Sequence, residues 1–180
     1  MRPTNITVNW LTYHKKAGNN KRFFLSSTSA GNTYGSAVWS SDNTTLGVNG
    51  NIIAGGGTAV DLLVYAWAPV EGYSSFGQYT GNNNADGPVV YTGMRPRFIL
   101  IKRVSAAENW MLIDTERNTF NVAGTHLMPN NNLAEGTSTP VDHLSNGFKI
   151  RTTSTAMNGG NDTYVYAAFA EHPFKTARAR

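Results

Sequence analysis

The residues that could carry chemistry are few and scattered. Asp114 and Glu116 lie two positions apart and would share a face if their strand continues. Two carboxylates at a defined separation are what glycoside hydrolysis requires. The run Asp114-Thr115-Glu116-Arg117-Asn118 reads instead as a polar turn leaving a strand. His14, His126, His143 and His172 are dispersed, with no pair at the spacing a metal-binding helix uses. Asp142-His143 and Glu171-His172 are sequence neighbours, which on a strand point to opposite faces, so adjacency makes no acid–base pair. The Gly-x-Ser-x-Gly elbow and the phosphate-cradling Gly-rich loop with a Lys are both missing. Gly72-Tyr73-Ser74-Ser75-Phe76-Gly77 has the wrong spacing for either and reads as a turn flanked by strand residues. With no Cys, thiol nucleophiles, disulfides, iron–sulfur clusters and Cys-type zinc sites are excluded. The expectation is a protein that is not an enzyme, with no catalytic residue, no cofactor and no metal.

Binding residues are easier to nominate. Asn82, Asn84 and Asp86 alternate ahead of Gly87, as in a calcium loop. The twelfth position is Gly93 rather than a bidentate Glu, so an Asn-rich connection is expected there. Exposed aromatic rings stack on sugars, and Trp10, Trp39, Tyr34, Tyr73, Tyr79 and Trp110 are the residues to weigh. Trp10, Trp67 and Trp110 sit at positions of an internal repeat that argue for the core. Trp39 lies outside the matched segments, and with Tyr34 it is the expected glycan contact.

The elements that must position these residues follow from composition. The chain has 180 residues, of which 40% are apolar and only 14% charged. It holds 20 Asn, 20 Thr, 12 Ser and 18 Gly. Uncharged polar and β-branched residues favour turns and pleated surfaces over helices, and no dozen-residue window keeps helical spacing. Strand-like runs at 10–13, 22–25, 62–68, 98–104, 110–113, 148–152 and 164–170 alternate with turn clusters such as Asn158-Gly159-Gly160-Asn161-Asp162. The net charge is +4, but its cations fall in separate small groups rather than one stripe, so no nucleic-acid partner is expected. The longest apolar run, 62–70, is too short to cross a bilayer as a helix, and residues 1–20 lack the apolar core of a signal peptide.

An internal repeat organises the strands. Asn9-Trp10-Leu11 recurs as Asn109-Trp110-Met111. Gly55-Gly56-Gly57 followed by Leu62-Leu63-Val64-Tyr65-Ala66-Trp67-Ala68 recurs as Asn158-Gly159-Gly160 followed by Tyr164-Val165-Tyr166-Ala167-Ala168-Phe169-Ala170. Trp67 aligns with Phe169, each between two alanines. The fold class expected is all-β, with two tandem, internally repeated antiparallel β-sandwich (jelly-roll-like) units at 1–72 and 73–180. Nothing before Trp10 matches the apolar run Phe98-Ile99-Leu100-Ile101. The first unit would therefore lack an edge strand, unless residues 6–8 or another subunit supply it.

The stretch Glu71-Gly72-Tyr73-Ser74-Ser75-Phe76-Gly77-Gln78-Tyr79-Thr80-Gly81-Asn82, with Asp86-Gly87-Pro88-Val89-Val90-Tyr91, resembles distal C-terminal domains of bacteriophage tail-fibre-like virion proteins. So do the run from Arg95 to Arg103, the run from Leu144 to Arg151, and Ala168-Phe169-Ala170-Glu171-His172-Pro173-Phe174-Lys175. The resemblance implies a structural protein of the virion, at a tail fibre or tail appendage, contributing to host-surface attachment. It implies as partners other virion proteins and further copies of the chain, a homotrimer being favoured, with a host-surface glycan as a further partner, and it carries over no catalytic residue. The alternatives are a capsid or tail decoration protein that binds only other virion proteins, or a carbohydrate-binding module.

Overall fold

A computed structural model describes residues 1–4, 9–33, 39–41, 45–49 and 61–172. The fold is all-β, built from antiparallel sheets. The strands are β1 (Arg2–Pro3), β2 (Leu11–Thr12), β3 (Lys21–Phe24), β4 (Asn32–Thr33), β5 (Trp39–Ser41), β6 (Leu46–Val48) and β7 (Leu62–Leu63). They continue with β8 (Ser74–Thr80), β9 (Val89–Tyr91), β10 (Pro96–Arg103), β11 (Met111–Asp114), β12 (Val141–Leu144), β13 (Gly147–Ile150) and β14 (Thr163–Ala170).

The main core lies between two sheets. One has the strand order β11-β10-β14-β8 and the other β12-β13-β9. Alternation does the sorting. Ile99 and Ile101 of β10, and Tyr164, Tyr166 and Ala168 of β14, face the three-stranded sheet and meet Val90, Val141, Phe148 and Ile150. Leu100 and Val165 take the opposite face. Tyr79 and Tyr164 stack at 5.0 Å, and each buried hydroxyl donates to a backbone carbonyl, of Met157 and Thr155 respectively. Gly77 is small because the Tyr166 ring crosses it; a Cβ there would meet that ring at 2.5–2.6 Å. Gly72, at φ 74°, makes the turn into β8, so the strand begins at Ser74, inside the segment expected as a turn.

Residues 1–72, expected as the first unit, form shorter ladders: β1 with β7, β2-β3-β4, and β5 with β6. Their own cluster is small, with Leu11 and Trp39 at its centre. Part of their burial comes from the second unit. Phe23 is fully buried with Val104, Trp110 and Val165 on the outer face of the four-stranded sheet. Polar bonds fasten that layer. The Trp110 indole donates to the carbonyl of Phe24 at 2.9 Å. His14 Nε2 lies 3.0 Å from the carbonyl of Tyr166. The buried ammonium of Lys102 donates to the carbonyls of Thr28 and Glu108.

Candidate functional site

The two carboxylates nominated for chemistry, Asp114 and Glu116, are occupied locally. Asp114 ends β11, and its Oδ1 accepts from the N–H groups of Glu116 and Arg117 at 3.0 and 2.9 Å. Its other oxygen pairs with the Arg117 guanidinium, while Glu116 pairs with Arg97 at 2.6 Å. The two carboxylates thus build a turn and its ion pairs. In the Asn-rich loop the oxygens are turned to neighbouring N–H groups. Asn82 Oδ1 accepts from the N–H of Asn84 and the amide of Asn158, and Asn84 Oδ1 accepts from the N–H of Asp86. Asn158, fully buried, threads this loop to residues 152–158 by donating also to the carbonyls of Asn84 and Thr152. Asp86 pairs with Lys149, whose ammonium holds its carboxyl below the ordinary carboxylate value.

The histidines do not meet as a cluster. His126 bonds Thr139 at 2.8 Å, His143 lies 2.9 Å from the carbonyl of Pro96, and His14 reaches Tyr166. Burial lowers the pKa of His14 and His143. Three arginines in and beside β10 are each paired with a carboxylate: Arg95 with Glu171, Arg97 with Glu116 and Arg103 with Asp162, each at 2.6 Å. Among the described residues no helix is long and apolar enough to cross a membrane.

Of the two expected glycan contacts, Trp39 needs correcting. Trp39 is 1% exposed: its indole N–H donates to the carbonyl of Lys21 at 2.8 Å and its ring packs on Tyr13. A ring that fills the small front core presents no face to a sugar. Tyr34 lies outside the described residues. Tyr79 and Trp110 are buried. Trp67, expected in the core from its repeat position, is 64% exposed.

What the structure presents at the surface is a tract that the sequence placed inside. Every residue from 61 to 71 except Asp61 and Glu71 is apolar or aromatic, and all are exposed. Leu63, Val64, Tyr65 and Trp67 range from 43% to 64%. Tyr65 stacks on Trp10 at 6.0 Å and on Trp67 at 6.1 Å, making a row of three rings. Trp10 also lines a shallow depression with Arg2, Pro3, Thr4 and Leu63. The pattern defining a family described as "Domain of unknown function (DUF7483)" matches residues 1–173.

The chain belongs to the DUF7483 family. No curated protein and no solved structure matches it. The family match runs through both halves of the repeat, so the exposed tract and its buried counterpart fall within one DUF7483 domain. Sequence reasoning missed the tract because a continuous apolar run is the same signal whether or not a partner strand is present. The one available sign was the missing counterpart of Phe98-Ile99-Leu100-Ile101 in the first unit.

Proposed function

We propose that this chain is a non-enzymatic structural protein of a bacteriophage virion, a tail fibre or tail appendage that assembles with itself and other virion proteins and contributes to host-surface attachment. What carries the reading is the apolar tract 62–70, exposed on a body whose candidate catalytic groups are tied up in turns and ion pairs. A surface of that kind is suited to protein–protein assembly. The sequence resemblance of residues 71–91, 95–103, 144–151 and 168–175 to distal tail-fibre domains supplies the setting. Mass spectrometry of gradient-purified particles, with immunogold labelling against this chain, tests it. The chain is expected to co-sediment with particles and label the tail. A chain confined to the soluble lysate, or labelling on the capsid shell, would overturn the reading.

A further inference from the structure

We propose that residues 14–31 form an acid-released strap over the outer face of the four-stranded sheet, with His14 and Lys102 as its two proton-sensitive ties. Nothing in this depends on the virion setting.

The strap is a layer that the main core can do without. Beneath it, Phe23 meets Val104, Trp110 and Val165, with Ala17, Leu25 and Leu100 at the margin. On the other face of the same sheet, the core between the two sheets holds no residue of the strap among the described residues. β10 and β14 therefore keep their pairing and their main core when the strap lifts. Neutral cross-bonds include the N–H of Gly31 to the carbonyl of Val104 at 3.2 Å and the N–H of Glu108 to that of Thr28 at 2.8 Å. The Trp110 indole adds its bond to Phe24. The two remaining ties come from side chains that titrate.

Both are arranged so that an added proton works against closure. His14 Nε2 faces the carbonyl of Tyr166 at 3.0 Å, and a carbonyl only accepts, so Nε2 carries the hydrogen. Nδ1 is then the bare nitrogen, and it accepts from the N–H of Lys16 at 3.3 Å. A proton on Nδ1 would set donor against donor. Burial holds this imidazole below its ordinary 6.5; the Tyr166 carbonyl opposes the shift and the Lys16 charge adds to it.

Lys102 is fully buried, its Nζ donating to the carbonyl of Thr28 at 2.9 Å and to that of Glu108. Two carbonyls need two N–H groups, which a neutral amine also supplies. Losing the proton thus removes a buried charge and neither partner. Burial brings the ammonium from 10.5 down to about 8; the Glu108 carboxylate opposes this, and Arg103, itself paired with Asp162, adds to it. Lifting the strap returns both groups to water. Opening then takes up a proton at Lys102 between about pH 8 and 10.5, and at His14 just below 6.5. The strap is tightest at high pH and loosens in two steps as pH falls.

The chain has no cysteine, so one introduced thiol reports one place. Val165→Cys lies beneath the strap, Val141→Cys lies in the main core, and Ser145→Cys at an exposed hairpin tip gives the free-thiol rate at each pH. Each is labelled with dithiodipyridine in the folded chain from pH 5 to 10. Relative to Ser145→Cys, Val165→Cys is expected to label at least about tenfold faster at pH 8 than at pH 10. A further rise of about twofold or more is expected from pH 6.5 to 5, while Val141→Cys stays protected throughout. Lys102→Met should erase the alkaline step and His14→Gln the acid step, each leaving the other in place. Equal protection of Val165→Cys and Val141→Cys at every pH overturns the strap, because the layer would then open only with the whole fold. A labelling ratio flat with pH overturns it too, as does a step that survives the loss of its own residue.

Discussion

Residues 62–68 and 164–170 begin with similar sequences and end in opposite environments. Both are apolar, both place an aromatic ring between two alanines, and both follow a Gly-rich turn cluster. In β14 the tyrosines are closed over: Tyr164 is fully buried and Tyr166 is 5% exposed. In the front copy Tyr65 and Trp67 stand 58% and 64% exposed. The difference is in the neighbours. β14 has a strand on each edge and a second sheet over its face, whereas among the described residues the front tract has a two-residue ladder at one end and a single bridge, Val70 with Ser74, at the other. A β-strand is defined by what it pairs with, so similar apolar runs yield a core strand in one place and an exposed surface in the other.

The sharpest way to break this comparison is to truncate matched positions. Tyr164→Ala removes a fully buried ring that stacks on Tyr79 and satisfies two backbone groups. It should cost about 3–5 kcal/mol in urea unfolding, as large aromatic truncations in cores do. A loss under about 1 kcal/mol would mean that β14 is not the central strand of the cooperative unit.

Overpacking the same strand pair comes next. Gly77→Val drives methyl groups into the Tyr166 ring. About 1–3 kcal/mol of destabilisation is expected, read as a lower melting temperature. An unchanged melting point would show that β8 can move away from β14.

Acidification probes both regions at once. Burial lowers the pKa of His143 inside the sandwich, and of His14 where the front layer rests on β14. The unfolded chain, with imidazoles near 6.5, therefore binds more protons than the folded chain just below that pH. Stability is fully present above 6.5 and should fall as pH drops below it. His14→Gln and His143→Gln together should flatten that slope in denaturant titrations at stepped pH. A slope unchanged in the double variant would assign the acid sensitivity to other groups.

The smallest effect is expected in the front tract. Leu62→Ala, at the position matched to Tyr164, is expected to change the stability of the single chain by no more than about 0.5 kcal/mol. A loss approaching that of Tyr164→Ala would show that something within the chain covers the tract, and would erase the contrast between the two copies.

Much of the architecture was legible in the residues. The apolar strand-like runs at 98–104 and 164–170 foretold β10 and β14, and Asn-Gly clusters marked the reversals, with Asn83 and Asn161 at positive φ. The polar turn at 114–118 and the Asn-rich loop were also readable, because short side chains bond their own backbone within a few residues. Less legible were β8 and β9. β8 is an edge strand rich in Ser, Gly and Gln with one partner strand, and β9 is only three residues long with both outer residues exposed.

The sequence by itself determined the class: an all-β chain without cysteine, whose periodicity, turn residues and low charge leave little room for helices. These are local properties, set by each residue's own dihedral preferences and its near neighbours. Tertiary structure alone decided which aromatic ring is core and which is surface. Trp39 was sealed by a carbonyl and a tyrosine from elsewhere in the chain, and Trp67 was left exposed, with no strand beside it among the described residues. Burial is a property of the neighbours, and in a sheet those neighbours are brought in from distant sequence.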